Sequence, residues 1–438
     1  MGTLEFRLTP IRAAVAVALC ALPQISSAAG FSLTEQNASG LGNSYAGAAA
    51  VAEDASTIFF NPAGMTRLSG RQVVGALSLV NLGAKFSDSG ASTVPSFQTP
   101  GGGNGGDAGS LNAVPAAYLS WELSPGKWWL GIGVNAPFGL STKWDSGWVG
   151  RFHAVESSVQ AIAISPSIAW KVNDQFSVGA GVSAVHMSAT FTNSTPYSLV
   201  AYKYGALSSV GMYKEGEAKI EGDSWAWGWN AGATWQVAPA TRLGITYRSH
   251  VSQDLGGNVT FSDRPAALGG ALPDGPVSTK VKLPDSASLA IAHDVDARWQ
   301  LLADYTWTGW SSIQQLVIAR DTGQTVSSVE LGFKDTWRLG LGANYRMNEA
   351  WTLRLGVAYE STPAKDDKRT PRLPDSSRVW TSIGAQWRAS PQTAVDFGFA
   401  YEWIDKGSSD LHSASAGNLV GEYKLNVWIL GAQVRYSF

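Results

Sequence analysis

Apolar residues occupy every second position along much of the chain. Between 337 and 346, for example, apolar residues from Trp337 to Tyr345 alternate with polar residues or glycine. Four further stretches repeat this alternation: 225–235, 299–307, 351–360 and 395–403. A period of two is typical of β-strands that have one apolar and one polar face. Roughly fourteen such segments, arranged in pairs, follow one another between 71 and 438, and they predict an all-β, antiparallel fold.

The positions of aromatic residues and glycine indicate what the apolar face meets. Aromatic residues flank the apolar stripes, as Trp299 and Trp307 do, and such rings favour the two interfaces of a membrane. The polar face is rich in glycine, as a crowded lumen requires, and the chain ends in a strand closed by Phe438. A soluble β-sandwich, the alternative, would bury its apolar face against a second sheet. We therefore predict a fourteen-stranded transmembrane β-barrel over 71–438.

The connections between the segments fall into two classes. Short turns at 124–127, 173–174 and 347–349 suit the periplasmic side of such a barrel. Longer polar stretches, which we expect to be external loops, are 86–112, 193–222, 262–278 and 361–375.

The first 28 residues have the features of a cleaved signal peptide. Arg7 and Arg12 precede an apolar run over 13–22, and small residues follow at 26–28. The run is shorter than the ~20 residues of a membrane-spanning helix. Because Cys20 is the only cysteine and lies in this segment, the exported chain is expected to contain no disulfide.

Composition narrows the classes of function. The 438 residues carry 32 Lys and Arg against 34 Asp and Glu, so no basic excess favours nucleic-acid binding. Five histidines leave little for a metal site, and no nucleotide-binding loop or catalytic spacing stands out. We predict a protein that is not an enzyme and has neither metal nor cofactor. An outer-membrane enzyme or an adhesin stays open as an alternative.

The segment 29–70 does not alternate and is rich in glycine, alanine and serine. It is too irregular to be a membrane strand. Eight strands enclose an interior filled by side chains, whereas sixteen leave an aqueous channel. A fourteen-stranded barrel should therefore leave a space that this segment could fill as a plug.

Several motifs resemble the FadL family of outer-membrane transporters of long-chain fatty acids and other hydrophobic compounds. The plug-like segment is similar to the hatch of that family at 30–33, 38–47, 53–55 and 61–63. The similarity continues at 139–142, 227–232, 246–249, 332–335 and 373–380, and in the C-terminal strand.

This resemblance implies a route for the ligand. A hydrophobic molecule would enter a groove between external loops, pass to a pocket beside the hatch, and leave sideways into the bilayer at a kink in the third strand. The hatch residues carried over are Phe31, Asn61, Pro62 and Ala63. The resemblance also implies a monomer in the bacterial outer membrane, in contact with lipid and lipopolysaccharide.

The third strand itself carries a signal for the kink. Pro137, Phe138 and Gly139 end the apolar alternation that begins at Trp128. A proline inside a closed barrel leaves a neighbouring carbonyl without a donor, so a bulge or an inward kink is predicted there. The alternative is an ordinary strand end at the membrane surface. Pro166 interrupts the next strand, and we expect it to widen the same opening.

The external groove is expected in the stretch 193–222. Its apolar candidates are Tyr197, Leu199, Val200, Tyr202, Tyr204 and Leu207. The alternative is a loop that folds over its own apolar residues.

The substrate is left open between two classes. The basic residues with which relatives hold a carboxylate fall near Asn193 and Val329, and neither is basic. Lumenal arginines could replace them, or could instead form ion pairs with lumenal acids. The arginines considered are Arg338, Arg354 and Arg388, and the acids are Asp304, Asp396 and Glu402. Fatty acids and neutral aromatic hydrocarbons such as toluene therefore stand as alternatives, with a general diffusion porin as the rival function.

Overall fold

The computed structural model describes residues 30–99 and 101–438, so the predicted signal peptide lies outside the described residues. Within them a single sheet contains nineteen strands. Strands β1 to β19 are Arg71–Asp88, Leu111–Ser124, Trp128–Lys143, Glu156–Lys171, Phe176–Thr195, Gly216–Ala238, Thr241–Arg248, Val251–Phe261, Gly275–Leu283, Ser286–Asp294, Trp299–Thr308, Gln315–Ala319, Thr325–Glu330, Thr336–Arg346, Trp351–Glu360, Arg378–Arg388, Thr393–Ile404, Gly407–Ser413 and Gly417–Ser437. Among the described residues, no helix combines the length and the apolar character needed to cross a bilayer.

Fourteen of these strands close into an antiparallel barrel. Their order around the ring is β1 to β7, β10, β11, β14 to β17 and β19. The last strand pairs with the first from Gln72 opposite Ser437 to Asp88 opposite Gly421, and this closes the ring. Closure gives almost every backbone N–H and C=O a partner in the next strand, as hydrocarbon surroundings require. The predicted fold class is confirmed.

The other five strands extend the barrel beyond the ring. β8 pairs with the start of β6, β9 and β12 follow, β13 completes this extension, and β18 pairs with the start of β19. They were not predicted from the sequence. Strands β5, β6 and β19 have 20, 23 and 21 residues, about twice the length that a membrane strand needs. Their projecting ends therefore offer edges on which further strands can pair.

The outer face of the ring is apolar and bounded by aromatic residues. Side chains such as Leu341 and Ile383 point outward and are 53% and 56% exposed to the surroundings. At the short-turn end, the rings of Trp299 and Tyr345 lie 4.6 Å apart. At the opposite end, Trp337 and Tyr359 lie 5.1 Å apart. An apolar band between two aromatic belts is the surface that a bilayer covers.

The N-terminal segment, residues 30–70, lies within the ring. It contains three short α-helices and one 3-10 helix, with α1 at Ala38–Leu41, α2 at Ala48–Val51, α3 at Thr57–Phe60 and the 3-10 helix at Pro62–Arg67. A Cβ atom added to Gly384 of β16 would lie 2.6 Å from the Gly42 Cα. One added to Gly398 of β17 would lie 2.9 Å from the Ala38 carbonyl oxygen. The glycine-rich inner face therefore lets the backbone of the segment approach the wall.

Buried charges tie the N-terminal segment to the wall. Arg354 of β15 pairs with Asp396 of β17 at 2.6 Å and with Glu53 of the segment at 2.8 Å. The Gln433 Nε2 atom of β19 donates to Asp54 at 2.8 Å. Buried charges are tolerated only when they are paired in this way, so these contacts fix how the segment sits.

Candidate functional site

The third strand leaves its neighbour at the predicted kink. Pairing between β2 and β3 ends at Ala117 opposite Val134, while the register of β3 with β4 shifts between Asn135 and Phe138. Residues 135–142 are all buried, so the alternation of exposed and buried positions is lost after Val134. Because β3 continues along β4 as far as Lys143, Pro137 lies inside the strand and is not an ordinary strand end.

The kink leaves a gap between β2 and β3. Residues 111–116 of β2 pair with β1, and no pairing with β3 occurs there within the described chain. A hydrogen bond from Lys143 N to the Ala108 oxygen, 2.9 Å long, closes the outer end of the gap. The gap therefore spans residues 135–142 of β3.

A second proline lies on the opposite edge of this gap. The Leu82 N atom donates to the Ser110 oxygen, so even-numbered residues of β2 bond to β1 and odd-numbered ones face β3. Pro115 belongs to the odd-numbered set. Since proline has no N–H, its position removes one donor from an edge that no strand of the described chain covers.

The start of the N-terminal segment occupies the edge of β3 that β2 has left. Leu33 N donates to the Pro137 oxygen at 2.9 Å, and Gly139 N donates to the Phe31 oxygen at 2.8 Å. Ser32 lies directly opposite Phe138. The rings of Phe31 and Phe138 are 5.8 Å apart. The structure thus brings Phe31 together with the three kink residues proposed from sequence.

The other hatch residues named from sequence anchor the segment elsewhere. Asn61 Nδ2 donates to the oxygens of Ala49 at 2.7 Å and Ala233 at 3.0 Å, and Asn61 Oδ1 accepts from Ala63 N. Asn61 is the N-cap of the 3-10 helix, which has Pro62 in its first turn, where proline costs no hydrogen bond. Asn61, Pro62 and Ala63 therefore hold the segment to the wall and are separate from the kink.

An internal cavity of about 140 Å³ lies between the N-terminal segment and the wall. Strands β7, β10, β11 and β14 form the wall side. Apolar groups dominate the rest of the lining, among them Leu33, Phe59, Phe60, Phe138 and Trp310. Because Leu33 and Phe138 belong both to the cavity and to the covered edge of β3, the cavity adjoins the gap.

The lumenal arginines considered from sequence are mostly committed to ion pairs. Arg338, which lines the cavity, pairs with Asp304 at 3.1 Å. Arg354 pairs with Asp396, as described above. Glu402 is paired with Arg378 at 2.7 Å. Arg388 has the same parity on β16 as the buried Ser382 and Gln386, but it is exposed at the turn end of the strand.

The two positions that correspond to basic residues of relatives lie outside the cavity. Val329 is on the external strand β13. Asn193 Oδ1 accepts a 3.3 Å hydrogen bond from Arg372, which also donates to Ser157 Oγ and stacks on Phe191. Burial lowers the pKa of Arg372 to about 10, so it stays protonated at neutral pH. A cation thus lies beside Asn193. It comes from the loop between β15 and β16, and the contact of this loop with β5 could not be predicted from the sequence.

One further cation was missed, and it lines the internal cavity. Arg248, the last residue of β7, donates to the Phe59 oxygen at 2.6 Å, and its guanidinium lies 4.3 Å from the Phe59 ring centroid. Within the described residues no carboxylate comes within 4.0 Å of it. Arg248 belongs to the motif 246–249, which the sequence analysis identified. The direction of the Arg248 side chain, however, depends on how β7 ends.

The apolar residues expected to form an external groove are divided between a buried cluster and the protein surface. Tyr197 and Leu199 are buried in helix α4, Tyr197–Lys203, which packs on α5, Leu207–Val210, and on a loop that contains Leu268. Val200 and Leu207 are partly buried in the same cluster. Tyr202 and Tyr204 are exposed, and the ring of Tyr202 is 5.1 Å from that of Phe97. The loop therefore folds over part of its own apolar residues and leaves two tyrosines outside.

Pro166 does not take part in the gap. It pairs with Ile132 in β3, and the pairing of β4 with β5 skips residues 165 and 166. The expectation that Pro166 widens the same opening is wrong, because the interruption that it causes lies on the other side of β3.

Comparison with known proteins identifies the family to which this chain belongs. A family model described as outer membrane protein transport protein (OMPP1/FadL/TodX) matches residues 19–438. The long-chain fatty acid transport protein of Escherichia coli O6:H1 (strain CFT073) is 29% identical over 453 residues, which cover 98% of each chain. The crystal structure of a Pseudomonas aeruginosa FadL homologue has a TM-score of 0.84 at 27% identity, covering 94% of this chain and all of that one.

The structure of the Pseudomonas putida toluene transporter TodX has the same fold as this chain, and its low sequence identity shows no more than that. Its TM-score is 0.68 at 18% identity, with 94% of this chain and 100% of that chain covered. The family match covers nearly all of the described barrel and the N-terminal segment. The chain therefore belongs to the OMPP1/FadL/TodX family of outer-membrane transport proteins.

Proposed function

We propose that the protein takes up long-chain fatty acids or other hydrophobic compounds without an energy source, by lateral transfer from the internal cavity into the outer membrane. The observation that carries this proposal is the contact between the cavity and the gap in the barrel wall. Leu33 and Phe138 separate the two, so a small displacement of residues 31–33 would connect them.

The first step is capture at the external surface. Tyr202 and Tyr204 are 62% and 60% exposed, and Phe97 lies beside Tyr202. Aromatic side chains that present an apolar face and a polar tip suit a surface that meets amphiphiles in a polar layer. Tyr197 and Leu199 support the fold of this loop from within.

The second step is binding in the internal cavity, and it is favoured by burial of the chain of the ligand. Each CH₂ group removed from water contributes about 0.8 kcal/mol, so a ~16-carbon tail gains on the order of 12 kcal/mol. Transfer from the cavity to the bilayer exchanges one apolar environment for another. No coupled energy source is therefore needed.

The third step is release through the gap. A closed barrel presents no opening to lipid, whereas residues 135–142 of β3 are separated from β2. Residues 31–33 cover this edge of β3 by two hydrogen bonds, a small number to exchange during transport. The N-terminal segment would act here as a hatch, with Asn61, Pro62 and Ala63 as its fixed part.

Uptake by cells tests this function. Cells that lack their own transporter should accumulate radiolabelled oleate when they express the protein. We expect Pro137→Ala/Gly139→Val, which favours regular pairing of β3, to reduce the initial rate about tenfold. Pro166→Ala, which changes a proline on the other side of β3, should leave the rate unchanged. Normal uptake by a folded Pro137→Ala/Gly139→Val variant would contradict lateral release.

Neutral aromatic hydrocarbons are a second candidate class. The aromatic rings of Phe31, Phe138 and Trp310 surround one end of the cavity, with Phe31 and Trp310 4.9 Å apart. Uptake of radiolabelled toluene in the same cells compares the two classes directly. Preference for toluene over oleate would assign the cavity to aromatic substrates.

A further inference from the structure

We propose that the lumen holds a binding site for a free phosphate dianion at its short-turn end, between the N-terminal segment and strands β4 to β7. The site is separate from the internal cavity and from the gap, so it goes beyond the proposed function. The inference rests on a polar pocket, on its excess of positive charge and on guanidinium donors that lack an acceptor.

A polar pocket of about 260 Å³ lies at the short-turn end of the lumen. The end of the 3-10 helix lines one side of it, and the turn between β4 and β5, the last part of β6 and the start of β7 line the rest. The pocket shares no lining residue with the internal cavity. Its ionisable side chains are Arg67, Lys171, Asp174 and Arg242, and Ser177 and Thr234 add hydroxyl groups.

The charge of this pocket is positive, because it has three cations and a single carboxylate. Asp174 accepts from the Lys171 ammonium at 2.9 Å, and its side chain is 99% exposed. It therefore does not neutralise the two arginines. Among residues 30–99 and 101–438, no carboxylate lies within 4.0 Å of the guanidinium of Arg67 or of Arg242. The two positive charges that remain match the charge of a phosphate dianion.

Arg242 is the fixed cation of the pocket. It is 7% exposed, and its Nε and Nη2 atoms donate to the oxygens of Ala50 and Val51 in α2, the second of these bonds being 2.8 Å long. These bonds hold the plane of the guanidinium. Of the five N–H donors of an arginine, both on Nη1 are left without an acceptor in the described part of the chain. Phosphate oxygens are acceptors that fit such a planar group.

Arg67, the last residue of the 3-10 helix, brings a second guanidinium to the same pocket. Its Nη1 atom donates to Gln236 Oε1 at 3.3 Å, which leaves the donors on Nε and Nη2 available. Two guanidinium groups in one pocket repel each other, and an anion between them removes that repulsion. The bound phosphate would therefore contact both the N-terminal segment and the wall.

The position of the pocket on the inner face of the wall indicates a free anion, not a lipid head group. Ser177 and Thr234 are buried on this face. Their neighbours Phe176 and Trp235 point outward, toward the bilayer, and are 37% and 51% exposed. The backbone of β5 and β6 thus separates the pocket from any head group outside the ring.

Titration with inorganic phosphate tests the site. The purified protein would be studied by calorimetry in dodecyl maltoside, a detergent without phosphate, at a pH where phosphate is a dianion. We expect one phosphate per barrel. Arg67→Gln should weaken binding about 10- to 100-fold, the range for lost charged hydrogen bonds. Arg298→Gln removes the same charge from an exposed turn at the same end of the barrel, and it should change the affinity less than about threefold.

A second variant has the opposite effect. Asp174→Asn removes the carboxylate of the pocket, so it should strengthen phosphate binding about threefold. Absence of saturable binding by the wild-type protein, or equal affinities of the wild-type protein and Arg67→Gln, would overturn the site. A phospholipid that co-purifies with the wild-type protein and with Arg298→Gln, but not with Arg67→Gln, would assign the pocket to a head group and overturn the free anion.

Competing anions test the site in the wild-type protein, even if Arg67→Gln does not fold. Sulfate, a dianion of similar shape, should displace phosphate. Nitrate, which carries one charge, should require a concentration at least about tenfold higher. Equal competition by sulfate and nitrate would show that the pocket does not recognise a dianion, and would overturn the inference.

Discussion

Charged side chains inside this barrel are stabilised by ion pairs with side chains of opposite charge. Arg354 is 1% exposed and contacts both Asp396, which is buried, and Glu53, which is partly exposed. Removing the arginine would leave two carboxylates close together without a counter-charge. The cost of an uncompensated buried charge far exceeds the benefit of an exposed ion pair.

Substitution of Arg354 tests this difference at the scale of one residue. We expect Arg354→Met to lower the free energy of unfolding by about 3–5 kcal/mol. Denaturant unfolding in detergent micelles would measure it. Arg346→Met removes an ion pair of similar length, 3.2 Å, whose side chains are nearly half exposed. It should cost less than about 1 kcal/mol. Equal losses in the two variants would contradict the assigned pairing.

At the scale of elements, the extended residues 31–33 lie along the edge of β3 at the gap. Ser32 and Phe138 face each other between two flanking hydrogen bonds, so they form a non-hydrogen-bonded pair. The side chains of such pairs are the closest in an antiparallel ladder. Cysteines at these two positions are therefore well placed for a disulfide.

A reversible crosslink tests whether residues 31–33 must move during transport. In the oxidised state, Ser32→Cys/Phe138→Cys should reduce oleate uptake at least tenfold, because residues 31–33 stay fixed to β3. Addition of a reductant should restore most of the rate, which makes the same protein its own control. The single variant Phe138→Cys measures the effect of losing the ring. Unchanged uptake in the oxidised state would show that ligands leave by another path.

The elements also show how far the sequence could be interpreted. Alternation predicts the strands of the ring because each has one face toward lipid and one toward the lumen. Pro137 predicts the kink, since a missing donor is a local property. The five added strands β8, β9, β12, β13 and β18 have no lipid to impose alternation. Arg248 and Arg372 were not predicted, because Arg248 lies at a strand end and Arg372 lies in a loop. The direction of a side chain at such a position depends on tertiary contacts.

At the scale of the whole molecule, the N-terminal segment should prevent free passage of ions. In planar bilayers we expect negligible steady conductance from the purified protein, in contrast to a diffusion porin. Gly384→Val places atoms where the backbone of Gly42 lies, so the segment cannot seat fully. This variant should conduct at least tenfold more. Gly75→Val, in β1 with open space around it, controls for the loss of a strand glycine.

Contact between the two ends of the chain has a consequence for biogenesis. Gly42 and Leu41 pack on glycines of β16, β17 and β19, more than 300 positions further along the chain. These strands are synthesised long after residues 41 and 42. Long separations of this kind slow the formation of contacts. Residues 41 and 42 therefore remain without their final neighbours until β16, β17 and β19 are available, and the apolar side chain of Leu41 is open to other contacts during that interval.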